Sequence, residues 1–265
     1  MRRLRNSLVR WCVSRESAVK RETMRSPERQ RTRVLVIGIY LADRANTSSH
    51  LVERFARTPH LDVDQKWIAI NGNPGSDAVA GVTVERIRGF EPKFAILNRV
   101  LPMLGWEAYD FVVISDDDIV VPEGFLDRFI RSQLEFDLAL AQPARTRTSH
   151  ADHEFVRQRT ELRGRQTRFV EIGPLLSIRW DLAREIIPFD ETSPMGWGYD
   201  FVWPTLVESR GLKMGIIDSI AVDHSLRGLA TTYDKQKAIQ DMHRLLDRYP
   251  HLTRRKAFTV IREFR

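Results

Sequence analysis

A run of β-branched and aliphatic residues, Val34-Leu35-Val36-Ile37-Gly38-Ile39-Tyr40, stands between polar neighbours. An unbroken apolar run of this length predicts a strand covered on both faces. Ser48 and Ser49 then precede a helical pattern through Leu51, Val52 and Phe55 that ends before Pro59. Trp67-Ile68-Ala69-Ile70 predicts a second strand, closed by the turn signal Asn71-Gly72-Asn73-Pro74-Gly75. Val82 to Ile87 alternates apolar and polar, as a third and more exposed strand would. Pro92 opens a helix whose Phe94, Leu97, Leu101 and Leu104 share one face, kinked or ended at Pro102. Tyr109 to Ile114 predicts another buried strand, and Pro122 the start of the next helix. Strands alternating with helices predict an α/β fold with a mostly parallel central sheet and flanking helices. No internal repeat or low-complexity segment interrupts the pattern.

Charge changes this picture only at one end. The 265 residues carry 42 Lys and Arg against 35 Asp and Glu, a formal +7. Residues 1–33 hold 11 basic and 3 acidic side chains, so the remainder is close to neutral. A near-neutral body without a basic, aromatic-interleaved stripe argues against nucleic acid as a partner. The expected division is a basic leader over 1–33, a catalytic domain over 34–230 and a C-terminal helical extension over 231–265. Within the leader, Leu4, Leu8, Trp11 and Cys12 would share one helical face opposite Arg2, Arg3 and Arg10. Two readings stand: an interfacial helix in which residues 1–15 touch anionic lipid, or a solvated basic leader. Cys12 is the single cysteine, which excludes a disulfide framework and favours a reducing compartment. No apolar run reaches the ~18 residues of a membrane span. The expected location is the cytoplasm, at the inner membrane face on the first reading.

The chemistry concentrates where the fourth predicted strand ends, at Asp116-Asp117-Asp118. Residues i and i+2 point to one side of an extended chain, so Asp116 and Asp118 can converge, with Asp117 facing away or toward a ribose hydroxyl. Converging carboxylates repel unless a proton or a cation lies between them, and hard divalent cations prefer such ligands. A solvated acidic turn is the plainer alternative. Asp116, Asp118 and Val120 also match the opening motif of haloacid-dehalogenase-like phosphatases, with Asp218 and Asp223 as a later acidic pair. That family places its nucleophile after the first core strand, and here three strands come first.

Further segments complete a pattern: Pro92-Lys93-Phe94-Ala95, Ser115-Asp116-Asp117-Asp118-Ile119, Ala141-Gln142-Pro143-Ala144, Phe169-Val170-Glu171, Gly196-Trp197-Gly198-Tyr199-Asp200-Phe201, and Ile217-Asp218-Ser219 followed by Asp223-His224. In order and spacing these resemble the glycosyltransferase-A superfamily over about Val34 to Leu229. They resemble more closely a domain family, well populated in plants, that is assigned to it. The resemblance implies a Rossmann-like glycosyltransferase-A architecture. It also implies a divalent metal, Mn²⁺ or Mg²⁺, held by Asp118, Asp116 and His224 against the diphosphate of a nucleotide sugar.

The Gly196–Asp200 segment resembles the Trp-Gly-x-Glu-Asp segment of inverting β-1,4-galactosyltransferases. This implies Asp200 as the base that deprotonates the acceptor and Trp197 as a platform for a sugar face. Tyr199 stands where that pattern has an acid, and a carboxylate at Asp200 is equally a helix cap. Asp43 and Arg44, after the first strand, sit where the superfamily holds its nucleotide base. Lys93 and Asn98 are placed to touch phosphate or nucleotide, and Asp117 the ribose. His153, in a polar loop with His150, Asp152, Arg145, Arg147 and Arg157, and Glu171, before Gly173-Pro174, fall where acceptor or diphosphate contacts occur. The implied activity is an inverting, metal-dependent transfer from a nucleotide-sugar donor, UDP-linked by preference, to a glycan or lipid-linked acceptor. The alternative is a domain that binds nucleotide sugar or glycan without turnover, and the placement of Asp200 discriminates the two.

Overall fold

The structure, a computed structural model, describes residues 31–228 and 233–265. The amphipathic pattern through Leu4, Leu8, Trp11 and Cys12 lies outside the described residues. β1 (Thr32–Leu41), β2 (Leu61–Ile70), β3 (Thr83–Ile87) and β4 (Phe111–Ser115) are joined by α1 (Ser48–Ala56), α2 (Asp77–Val82) and α3 (Lys93–Met103). Then follow α4 (Phe125–Glu135), β5 (Leu140–Arg145), β6 (Gly164–Thr167), β7 (Leu175–Arg179), α5 (Trp180–Ile186), α6 (Tyr199–Ser209), β8 (Met214–Val222), α7 (Lys235–Arg248), α8 (Arg254–Ala257) and β9 (Val260–Phe264).

The nine strands of the described residues join one sheet in the order β3-β2-β1-β4-β7-β5-β8-β6-β9. The expected α/β architecture is the one observed, with helices on both faces. Its first half, β3-β2-β1-β4, is parallel, as the strand–helix alternation requires. Its second half is mixed: β5 and β8 are parallel, whereas β7 runs antiparallel to β4 and β5, and β6 antiparallel to β8 and β9.

The period-2 geometry of β1 explains its unbroken apolar run. Leu35 and Ile37 pack on one face with Ile68, Val112, Ile114 and the inner sides of α3, α5 and α6. Val34 and Val36 pack on the other with Trp67, Val113 and the inner sides of α1 and α4. Each such buried aliphatic stabilises the fold by about 1.5–3 kcal/mol. Gly38 has a steric reason: a Cβ there would stand 2.2 Å from the Trp67 ring.

Local differences from the expected elements follow from backbone chemistry. Val82 ends the short helix α2 instead of opening β3: Ser76 caps the start of that helix by accepting from the Val79 amide, and at its end the Thr83 amide donates to Ala80 O. Helix α4 begins at Phe125, not Pro122, since Gly124 takes a left-handed conformation (φ 62°) that closes the preceding turn. Pro102 lies in the last turn of α3, which ends at Met103. Residues 231–265, expected to be helical, carry α7 and α8 and then add β9 to the sheet beside β6. There Phe264 stacks on Phe136, with centroids 4.1 Å apart.

Strand order reverses at β1: β2 and β3 lie on one side and β4 on the other. Beyond the carboxyl ends of β1 and β4 the diverging loops leave a crevice, the usual ligand position in open α/β sheets.

Candidate active site

A cavity of about 620 Å³ opens in that crevice. Every residue singled out from the sequence as a site residue lines it, except Asn98. Asn98 turns instead to the loop after α5: its side-chain amide donates to Phe189 O at 2.9 Å, and its Oδ1 accepts from the Phe189 amide at 2.7 Å. It braces that loop and does not line the cavity.

Asp116, Asp117 and Asp118 leave the end of β4 in three directions. Asp116 Oδ1 accepts a 2.6 Å ion-pair hydrogen bond from Lys93 Nζ, at the first turn of α3. Asp117, expected to face away from its two neighbours or toward a ribose hydroxyl, turns back into the protein and is 2% exposed. Its Oδ2 accepts from the Leu41 amide at 2.7 Å, and its carboxylate pairs with the Arg227 guanidinium. Burial pushes its pKa up to about 6, against the pull of Arg227. Asp118 Oδ2 lies 3.1 Å from Arg227 Nη2. Its Oδ1 lies 3.3 Å from His224 Nε2, yet is buried without a hydrogen-bond partner. Burial raises the Asp118 pKa, but His224 and Arg227 together outweigh it and leave the carboxyl below its ordinary value.

The structure therefore joins Asp118 and His224 but leaves Asp116 out of the expected ligand trio, because Lys93 holds its carboxylate. Among the described residues no three His, Cys, Asp or Glu side chains gather around one point as a metal cage. What fits a cation is a pair: an orphaned, buried carboxylate oxygen beside an imidazole nitrogen. Hard oxygen with imidazole suits Mn²⁺, and a two-ligand site leaves positions for phosphate oxygens.

Glu171, Asp200 and Trp197 line the same cavity. Glu171 Oε1 accepts from the His153 amide at 3.1 Å. Its Oε2 lies 3.5 Å from Nη2 of the fully buried Arg145, which also donates to Gly173 O. Burial pushes Glu171 up and Arg145 down, and each partly offsets the other. The charge of Arg145 also opposes those of Asp116 and Asp118, so a fixed cation lies beneath an acidic cavity. His153 stacks on Phe169, with centroids 5.1 Å apart, and its Nδ1 is buried without a partner.

Asp200 lies in the first turn of α6 but does not cap it. The cap position is Gly198 (φ 92°), and no side-chain cap bond forms there. Asp200 lines the cavity, and its Oδ1 is buried without a hydrogen-bond partner. Burial, reinforced by the charge of Glu171, pushes its pKa up to about 7. A carboxyl tuned to neutrality can exchange a proton with little driving-force penalty. Trp197 Nε1 donates to Tyr233 Oη at 2.8 Å, which fixes the indole on the same wall.

The phosphatase-like alternative loses its second acidic pair. Asp218 is fully buried in a two-bond ion pair with Arg165, at 2.8 and 3.0 Å. Asp223 accepts from Thr146, Thr148 and Ser225. Arg227 and Tyr233 are contributors that sequence reasoning missed. No local pattern marks them, and only the fold brings Arg227 to Asp117.

No protein-family model and no curated protein matches the chain. Solved structures do. GalNAc-T7 with UDP, GalNAc and Mn²⁺ is similar at a TM-score of 0.55 and 12% identity, over 83% of this chain and 48% of that one. The mannosyltransferase PcManGT from Pyrobaculum calidifontis, in complex with GDP-Man and Mn²⁺, is similar at 0.52 and 14%, over 84% and 65%. The chain thus spans about half the length of the first and under two thirds of the second. At these identities the likeness speaks for architecture alone. The chain adopts the glycosyltransferase-A fold.

Proposed function

We propose that the protein is a divalent-metal-dependent glycosyltransferase, taking a sugar from a nucleoside-diphosphate donor, UDP-linked by preference, to a hydroxyl of a glycan or lipid-linked acceptor. The observation that carries this reading is Asp200: an acid in the first turn of α6 that caps no helix, lines the cavity together with Asp118 and His224, and has one buried carboxylate oxygen without a hydrogen-bond partner. A purely binding domain has no need of a base tuned near neutrality. UDP, GalNAc and Mn²⁺ in one similar structure, and GDP-Man and Mn²⁺ in the other, support it.

In this reading Asp118 and His224 hold the cation, which when bound offsets charge growing on the departing diphosphate. Lys93, ion-paired with Asp116, lies on the donor side and supplies a second positive charge there. Asp43 and Arg44 face the nucleotide end of the cavity. Trp197 offers its ring to the acceptor, and Glu171 with His153 shapes the same end. Asp200 takes the acceptor hydroxyl proton as the oxygen attacks the anomeric carbon from the face opposite the leaving group, which inverts that centre. Because Tyr233 and Arg254 line the cavity too, we assign residues 34–265 to one catalytic unit. The reading keeps the cytoplasm as location. The described residues contain no helix long and apolar enough to cross a membrane.

The test is a thermal-shift panel of nucleotide sugars with and without Mn²⁺, followed by transfer assays with the donor that responds. A metal-dependent shift lost in Asp118→Ala supports the reading, since ligands stabilise the state they bind. Silence toward every nucleotide with Mn²⁺ present overturns it. Donor binding without transfer, unchanged in Asp200→Asn, establishes the non-catalytic alternative.

A further inference from the structure

We propose that Arg227 is a positioning residue for the cation pair, setting which oxygen of Asp118 is presented beside His224. This rests on the reading of Asp118 and His224 as cation ligands. Arg227 follows His224 by three residues on the segment that leaves β8, and its side chain is 15% exposed. Its guanidinium reaches three acceptors on two other segments. Nη1 donates to Ala45 O at 2.9 Å, Nη2 pairs with Asp117, and Nη2 also stands 3.1 Å from Asp118 Oδ2.

The frame it grips is rigid. Asp117 is anchored by the Leu41 amide at 2.7 Å, and its carbonyl accepts from Thr47 N at 2.6 Å and Thr47 Oγ1 at 2.8 Å. Arg227 therefore ties the segment carrying His224 to the turn carrying Asp118. With Oδ2 engaged, Oδ1 is the oxygen left buried, unpartnered and 3.3 Å from His224 Nε2. Without Arg227, Asp117 and Asp118 would repel and the Asp118 carboxylate would lose its single orientation. Removing such an outer partner of a ligating carboxylate typically costs 10–100-fold in metal affinity. A lysine supplies the charge as a point and cannot bridge three acceptors with a planar fork.

Charge alone predicts the opposite sign, because a guanidinium this close disfavours a second cation. The experiment must separate the two effects. Removing Arg227 and Asp117 together, as R227M/D117N, takes away the ion pair at constant net charge. Mn²⁺ binding to the full-length protein is measured by isothermal titration calorimetry for the wild type, R227M/D117N, R227K and D118A, with circular dichroism to establish folding. The expected result is Mn²⁺ binding lost in D118A, weakened roughly 10–100-fold in R227M/D117N and weakened less in R227K. Wild-type affinity, or tighter, in a folded R227M/D117N overturns the proposal while leaving the cation pair intact. Equal Mn²⁺ binding by wild type and D118A overturns the cation pair and this proposal with it. Should the double variant not fold, R227K decides: undiminished affinity there is the overturning result.

Discussion

Gly196 lies so close against the ring of Phe94 that a Cβ on the glycine would stand 2.2 Å from a ring carbon. Phe94, on α3, meets Tyr199 edge-on at 5.0 Å and Phe189 at 4.7 Å, so the ring has nowhere to go. Gly196 also holds φ 85°, which a side chain strains. This contact sets the start of the segment that delivers Trp197 and Asp200. Gly196→Ala is expected to destabilise the fold by roughly 2–4 kcal/mol, from left-handed strain plus overpacking. Gly81→Ala, in the interior of α2 with open space around it, is expected to stabilise by up to about 1 kcal/mol. Urea midpoints of the two variants measure both.

Asp200 links stability to pH with a definite sign. Its folded pKa, about 7, lies above the ordinary 3.8, so the fold favours the protonated form. That contribution is fully present below pH ~4 and is lost as pH rises through about 7, for a total of roughly 4 kcal/mol. Asp200→Asn, neutral throughout, is expected to match the wild type at pH 4 and exceed it at pH 8 in denaturant titrations. The same variant is expected to lose about 10²–10⁴-fold in transfer rate, because the base is gone. In the wild type the rate should rise with pH to a plateau above about 7. A pH-independent rate would remove Asp200 as the base.

The first half of the fold was legible because covered strands leave unbroken apolar runs, as at Val34–Ile37, and the site because its acids follow such a strand directly. The second half hides in pairings. β6 reads Gly164-Arg165-Gln166-Thr167, polar by composition, yet Arg165 is fully buried because Asp218, distant in sequence, meets it. Nothing local told which way Asn98 turns, since its partners lie more than ninety residues on. Asp117 was legible only in part for a related reason: alternation says that it faces away from Asp116 and Asp118, as it does, but not that Leu41 and Arg227 wait there to bind it.

The leader yields to a lipid test independent of the site. Residues 1–30 hold nine basic and three acidic side chains. Near an anionic surface each net charge contributes about 1 kcal/mol, screened by salt. The full chain is expected to co-sediment with phosphatidylserine liposomes at low salt and to be released at high salt, while residues 31–265 stay in the supernatant. Equal pelleting of both would leave the leader without this role.

Asp218 tests whether a buried acid beside the site belongs to the chemistry or the fold. Both its oxygens bond Arg165, and Oδ1 also accepts from the Arg159 amide at 2.9 Å. Arg165 donates further to Phe155 O at 2.9 Å and Arg157 O at 3.0 Å, tying the loop that carries His153 to β6. Removing one partner strands a buried charge, so Asp218→Ala is expected to cost about 3–5 kcal/mol in urea unfolding. Mn²⁺ affinity, measured well below the unfolding transition, should stay within about twofold of wild type, since neither Asp118 nor His224 bonds directly to this pair. Replacing both residues by apolar ones of similar size should recover much of the loss, because the cost lies in the orphaned charge and not in the pair itself. A collapse of Mn²⁺ binding in the folded Asp218→Ala protein would instead assign this acid to the cation site.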